Sequence, residues 1–246
     1  MKKKLLIAIL AVVLTAGYTA QIFAAGENKP VQLSADTIEY DSVQGIMSAQ
    51  GGVRMTQENS VMTGDTAVYN TKTQEATITG GVKVVRDKTT LTAPTVVSQS
   101  NNHLMAIGGA VLVSDDKTLQ GAQIEYLADK QYAVVPDKAT IVSPDATMTA
   151  DRLEAFIGED RVIASGNVHI VSEEKKLDAT SDFATYYGAK AAQNQGRVIL
   201  RGNARAVQEG NVLTGNTLTI YLDDKAMNAQ GRTKLVVMPQ QMQNSK

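Results

Sequence analysis

The sequence predicts an all-β chain of antiparallel strands, each bent at mid-length. Three observations predict it. Apolar residues recur at every second position, short polar clusters interrupt them at regular intervals, and two short phrases alternate along the chain with one shared period.

The first phrase is built on glycine. It reads GGVRM from Gly51, GGVKV from Gly80 and GGAVL from Gly108, with a degenerate copy at Pro136-Asp137-Lys138-Ala139. It returns at Gly166-Asn167-Val168, Gly202-Asn203-Ala204 and Gly231-Arg232-Thr233, so that successive spacings are 29, 28, 28, 30, 36 and 29 residues. The second phrase lies between these copies. It runs from Leu33 to Tyr40 as LSADTIEY, and recurs from Met62 (MTGDTAVY), Leu119 (LQGAQIEY), Met148 (MTADRL) and Leu213 (LTGNTLTI).

Each phrase has the period of a strand. Met47, Ala49, Gly51, Val53 and Met55 alternate with polar Ser48, Gln50 and Arg54. The sets Val162 to Ile170 and Met227 to Leu235 do the same. Turn-forming clusters lie on both sides, among them Gln57-Glu58-Asn59, Asp115-Asp116-Lys117 and Ser172-Glu173-Glu174 on one, and Asn70-Thr71-Lys72 and Asp223-Asp224-Lys225 on the other. Short turns between long strands imply a meander of antiparallel hairpins. Two strands of roughly 11 to 13 residues with their turns fill one unit of roughly 29, and about seven such units run along the chain.

Glycine falls in the middle of its strand. In the partner phrase the alternation changes parity at the same height: Leu33 and Ala35 share one parity, Ile38 and Tyr40 the other. A parity change is what a β-bulge produces, and a central glycine marks a sharp bend. The expected bend positions are Gly51, Gly52, Gly80, Gly81, Gly108, Gly109, Gly166, Gly202 and Gly231. Aligned bends crease the stack along one line, so that its halves face each other across an apolar lining. About 14 bent strands fit between Val31 and Val237, a stack on the order of 65 Å long at ~4.8 Å per strand. The 36-residue spacing, with AKAAQNQG after Gly188, reads as an enlarged turn or a boundary within one stack, dividing it into 26–187 and 188–240.

The N-terminus stands apart. Lys2, Lys3 and Lys4 precede an apolar run from Leu5 to Ala16 and small residues ending at Ala24-Ala25, the layout of a secretory signal over residues 1–25. That run is shorter than the ~20 residues of a membrane-spanning helix; an uncleaved anchor is the alternative. Residues 241–246 read as a disordered tail. The chain has no cysteine, which excludes disulfides, thiolate metal sites and a lipid-modified N-terminal cysteine. Net charge is −1, and removing the three leader lysines takes it to about −4, so there is no basic excess of the kind nucleic acid requires.

The L-x-[AG]-[DN]-x-h-x-Y phrase followed by G-[GN]-[VA] resembles the OstA-type repeat of the LptA family of periplasmic lipopolysaccharide-transport proteins. The resemblance runs from about Val31 to Val237. It implies a creased β-jellyroll, or β-taco, whose apolar groove holds the acyl chains of lipopolysaccharide and which assembles end to end between the inner and outer membranes. The chain is longer than a typical single bridge protein and resembles two such units in tandem. The LptC type, which keeps an uncleaved N-terminal helix, has the same fold.

The residues point the same way. The period turns Met47, Val53, Met55, Met62, Val82, Val84, Leu91 and Leu104 inward, and likewise Leu112, Leu119, Ile141, Met148, Val168, Ile170 and Leu213. These are the candidate lipid-binding residues. The lining is rich in methionine and aliphatic residues, and methionine repacks readily around variable chains. A lipid-accessible trough and a closed core both fit this pattern. An open meander also leaves unpaired strands near Val31–Tyr40 and Met227–Val237. Such edges accept strands from partners, here other β-jellyrolls or further copies of the chain.

No enzyme chemistry stands out. Asp36, Asp65, Asp151 and Asp182 recur beside the bend and read as structural. His103 and His169 lie in different repeats and read as strand-surface residues. Arg54, Lys83 and Arg201 fall on the polar face. No catalytic residue, metal site or cofactor is expected. A structural β-repeat protein without ligand is one alternative, and a secreted glycan-acting enzyme another.

Overall fold

The computed structural model describes residues 32–238, apart from 58, 74, 87, 100–102, 115–116, 128–129, 145, 189–195 and 223–225. The leader over 1–25, the tail over 241–246, most of the enlarged turn after Gly188, and the turn residues Asp115, Asp116 and 223–225 lie outside the described residues.

Ten strands run unbroken for 11 or 12 residues. They are β3 (Ile46–Gln57), β4 (Ser60–Asn70), β5 (Glu75–Arg86), β6 (Thr89–Gln99), β7 (His103–Ser114), β8 (Lys117–Leu127), β13 (Arg161–Ser172), β14 (Leu177–Tyr187), β15 (Arg197–Gln208) and β16 (Asn211–Tyr221). Four further crossings are divided at the bend: β1 (Gln32–Ser34) with β2 (Thr37–Asp41), β9 (Tyr132–Val135) with β10 (Ala139–Val142), β11 (Thr147–Ala150) with β12 (Arg152–Phe156), and β17 (Met227–Gln230) with β18 (Lys234–Val236). Among the described residues a single 3-10 turn, Ile157–Glu159, replaces one tight hairpin. Among the described residues no helix is long and apolar enough to cross a membrane.

All strands belong to one antiparallel sheet in which chain order is spatial order. Hairpin connections of a few residues leave no other arrangement. The divided crossing β9/β10 bridges the middle, pairing with β8 on one side and with β12 and β11 on the other. β14 pairs with β15 across the 36-residue spacing, so the sheet continues through it. The fold is an antiparallel β-jellyroll creased along its length.

At each glycine corner the crease is made by two residues with positive φ; at the degenerate corner Lys138 alone has it. All nine bend glycines lie there, from 55° at Gly52 to 97° at Gly109. The second position of the pair is Gly, Asn167, Asn203 or Arg232, the last three near 50°. Asparagine tolerates this left-handed conformation better than most residues, which explains why GN can replace GG.

The extra residue sits on the glycine strand, not on the partner phrase as the parity change suggested. Gln50 pairs with Thr66 and Val53 with Gly64, so Gly51 and Gly52 oppose Asp65 alone. Around the corner the partner strand changes parity, because residues on both arms must point inward. The glycine strand inserts one more residue on the outside of the bend and so keeps its parity.

The recurring aspartates hold this corner. An added Cβ on Gly51 or Gly166 would lie 2.9 Å from the Cβ of Asp36 or Asp151, so only glycine leaves room for the neighbouring aspartate. The Asp36 N–H donates to the Gly51 carbonyl at 2.8 Å, and the Asp151 N–H to the Gly166 carbonyl at 2.8 Å. Asn167 and Asn203 return a side-chain hydrogen bond to Asp151 and Asp182 at 2.8 and 3.0 Å. The aspartates are exposed.

Candidate functional site

Inside the crease the cross-strand register builds continuous rows. On one half-sheet a single row runs the length of the stack: Leu33, Met55, Met62, Val84, Leu91, Leu112, Leu119, Ile141, Met148, Ile170, Ala179, Ala206, Leu213 and Leu235. Ten of the fifteen candidate lipid-binding residues stand in this row. Val53, Val82 and Val168 stand one step nearer the crease, among Gly64, Ala93, Ala110, Gly121, Ala139 and Ala150. The interior is therefore a wedge, with small residues where the half-sheets meet and Leu, Ile and Met farther out. Gly64 makes room for Ile78, whose Cγ2 would lie 2.7 Å from an added Cβ.

Beyond the aliphatic row the lip turns polar. Ser60, Ser114, Ser143 and Ser172 are buried there at strand ends, and Ser114 lies 3.2 Å from the Thr89 hydroxyl. The facing half-sheet carries a different row, from Tyr40 and Met47 through Tyr69, Ala76, Ser98, Leu104, Tyr126 and Ala133 to Tyr186 and Ile220. Met47 and Leu104 belong to it. Its tyrosines close the second phrase of the repeat, and the sequence analysis left them out of the lining. Burial pushes the Tyr126 phenol above its ordinary pKa.

Along most of its length this interior is filled by its own side chains. Leu119 is 1% exposed and Ala106 0%. Met55, Leu104, Ile170 and Leu213 are partly buried against the same cluster, and Met47 is half-buried. The ends differ. At the first edge Ile38 and Tyr40 are 46% and 59% exposed, although their register turns them inward; at the last, Leu235 is 62% exposed. Among the described residues no further strand pairs beyond them.

The outer face holds what the sequence analysis did not find. Beside the lip of the tyrosine-bearing half-sheet, cross-strand neighbours form the row Tyr132, Phe156, Arg161, Tyr187, Arg197 and Tyr221. Tyr132 and Phe156 meet edge to face at 5.3 Å. The Arg161 guanidinium lies 3.9 Å over the Phe156 ring, and that of Arg197 5.3 Å over Tyr187. Successive members of the row are 5 to 26 positions apart in the chain and lie on six different strands, so no local pattern signals the row.

Tyr132 donates its hydroxyl to Glu154, which also accepts from Arg152 at 3.2 Å. The Tyr132 bond, helped by Arg152 and opposed by burial, holds the Glu154 carboxyl below its usual pKa. A depressed carboxylate pKa adds stability above the unfolded value, and that stability is lost as pH falls through the folded value. Glu154→Gln should therefore cost about 1 kcal/mol at neutral pH. The difference from wild type should vanish in acid, below the folded pKa; a constant difference in urea midpoints between pH 7 and pH 3 would refute this.

His103 lies 3.5 Å from Glu125 and His169 3.3 Å from Asp178. Each is a single cross-strand pair on the sheet surface. Among the described residues no group of three or more His, Asp or Glu could hold a metal. Arg54, Lys83 and Arg201 are exposed on the outer face.

The comparisons with known proteins fall on this architecture. The family described as LptA/(LptD N-terminal domain) LPS transport protein matches residues 62–161, and the family described as OstA-like protein matches residues 24–94. No curated protein matches the chain. Among solved structures it is similar to LptH, the LptA homologous periplasmic component of the conserved lipopolysaccharide transport device from Pseudomonas aeruginosa. The identity is 15%, over 86% of this chain and 96% of that one, and the TM-score of 0.17 is too low for the likeness to carry weight. The two family matches together run from residue 24 to residue 161, over the alternating phrases that build the crease and its lining, and they support an LptA/OstA-like family member.

Proposed function

We propose that the chain is a periplasmic lipopolysaccharide-transport protein. It takes lipid acyl chains between its two half-sheets, and it joins other β-jellyrolls or further copies of itself through its two open strand edges. The observation that carries this reading is the unbroken aliphatic row from Leu33 to Leu235, bounded by a serine lip. An acyl chain lying along that row meets Met, Leu, Ile and Val, with Ala179 and Ala206 near its far end, while the serine hydroxyls stand where the lipid turns polar. The family matches and the leader expected over residues 1–25 support the same assignment.

The half-sheets are in contact, so entry of an acyl chain requires them to part about the crease. Among the described residues each edge strand leaves one row of backbone groups unpaired and apolar side chains exposed, which favours strand addition. On this reading the chain acts as a carrier, with tyrosines and serines bordering an apolar interior.

A photo-crosslinking residue at Met55 should form an adduct with lipopolysaccharide, and one at the adjacent, outward Arg54 should not. Positions 84 and 170, in the same row, should behave like 55. No adduct at any of the three would mean a sealed core. That result would favour the second reading, a structural β-repeat protein, for which the tight burial of Leu119 and Ile141 speaks.

A further inference from the structure

The chain is poor in aromatic residues, at 4%, yet both phenylalanines of the described residues lie on the outer face of the tyrosine-bearing half-sheet. Phe183 is 54% exposed and stands directly across from Arg201. Four residues along, Arg197 stands between Tyr187 and Tyr221. Neither Arg197 nor Arg201 has a carboxylate partner among the described residues, whereas Arg152 and Arg161 on the same face pair with Glu154 and Glu159. Thr217, across from Arg201, and the half-buried Thr219 add hydroxyls beside them.

Rings set beside guanidinium groups, two of which lack a carboxylate partner among the described residues, on a hydroxyl-bearing sheet fit one kind of occupant. A protein interface needs a contiguous apolar centre depleted of charge, and here each ring has a cation beside it. Nucleic acid needs a basic excess, and the net charge is −1. A saccharide presents C–H faces to rings and hydroxyls to threonines, and its phosphates accept bidentate hydrogen bonds from arginine. The row from Tyr132 to Tyr221 crosses six strands, about 24 Å, which a short oligosaccharide can span.

We propose that this outer face binds the phosphorylated saccharide headgroup of the lipid whose acyl chains enter the interior. The location argues for that source. Phe156 and Arg161 flank the 3-10 turn, and Tyr187 and Arg197 flank the segment after Gly188, so the row borders the lip over which a headgroup must emerge. This assignment of source rests on the trough reading.

The test uses the full-length mature chain and two probes without acyl chains: deacylated lipopolysaccharide saccharide, and the same saccharide after removal of its phosphates. Calorimetric titration should show saturable binding of the phosphorylated probe, weakened about tenfold or more in R197Q/R201Q and by loss of the phosphates. Phe183→Ser should weaken both probes. Arg205→Gln, on the same strand beyond the crease, should bind like wild type, and circular dichroism should be unchanged in all variants. No saturable binding, or unchanged affinity in R197Q/R201Q, overturns the proposal. An acyl adduct at position 55 without saccharide binding overturns this proposal alone. Saccharide binding without any acyl adduct overturns the assignment to a lipid headgroup, together with the trough.

Discussion

Gly80→Val should destabilise the chain by about 3–5 kcal/mol. Two effects act together. Gly80 has φ +89°, where a β-branched residue is a genuine outlier. Its missing side chain also leaves the space that Asp65 fills: an added Cβ would overlap the Cβ, Cγ and Oδ2 of Asp65. Rotating the aspartate does not relieve this, because its own Cβ is among the overlapping atoms. The neighbouring Gly81→Ala separates the two effects. Gly81 has φ +63° and nothing within 4 Å of an added Cβ, so the substitution should cost only the left-handed strain, about 1–2 kcal/mol. Equilibrium urea unfolding followed by circular dichroism reads both. A Gly80→Val midpoint close to wild type would mean that the crease does not depend on the glycine–aspartate contact.

Leu119→Ala should cost about 2–5 kcal/mol. Leu119 is 1% exposed and stands between Leu112 and Ile141 at the middle of the aliphatic row. The wedge gives its neighbours little freedom to collapse, since the residues next to the crease are already Ala and Gly. The result also bears on cargo. A full cavity penalty means that the resting interior is packed like a protein core, so that a lipid chain must separate the half-sheets to enter. A cost under about 1 kcal/mol would mean that the interior is slack along this row, with room for a chain at rest.

How far these features could be read beforehand depends on their range along the chain. The inward direction of Met55, Met62, Leu112 and Leu119 follows from alternation within one strand, and the structure turns each of them inward. The corner at Gly166-Asn167 follows from a two-residue phrase. The placement of the bulge was misread because parity was followed on one strand alone. Only the pairing of Gly51 and Gly52 against Asp65 identifies the strand that carries the extra residue. The tyrosine row is not legible in the sequence because Tyr69, Tyr126 and Tyr186 are separated in the sheet by strands that carry Ala, Ser, Leu or Val at the same height.

The amino-acid sequence alone determines the strand period, the hairpin order, the line of bends and the identity of the aliphatic lining, because each is written within a few consecutive residues. The tertiary structure decides what depends on partners far apart in the chain. Gly64 makes room for Ile78, Asp65 fills the space left at Gly80, and Arg197 comes to lie over Tyr187 because register brings distant residues into contact. Whether the interior rests open or closed belongs to that second class: alternation points a side chain inward, but only the approach of the two half-sheets about the crease determines what it touches there.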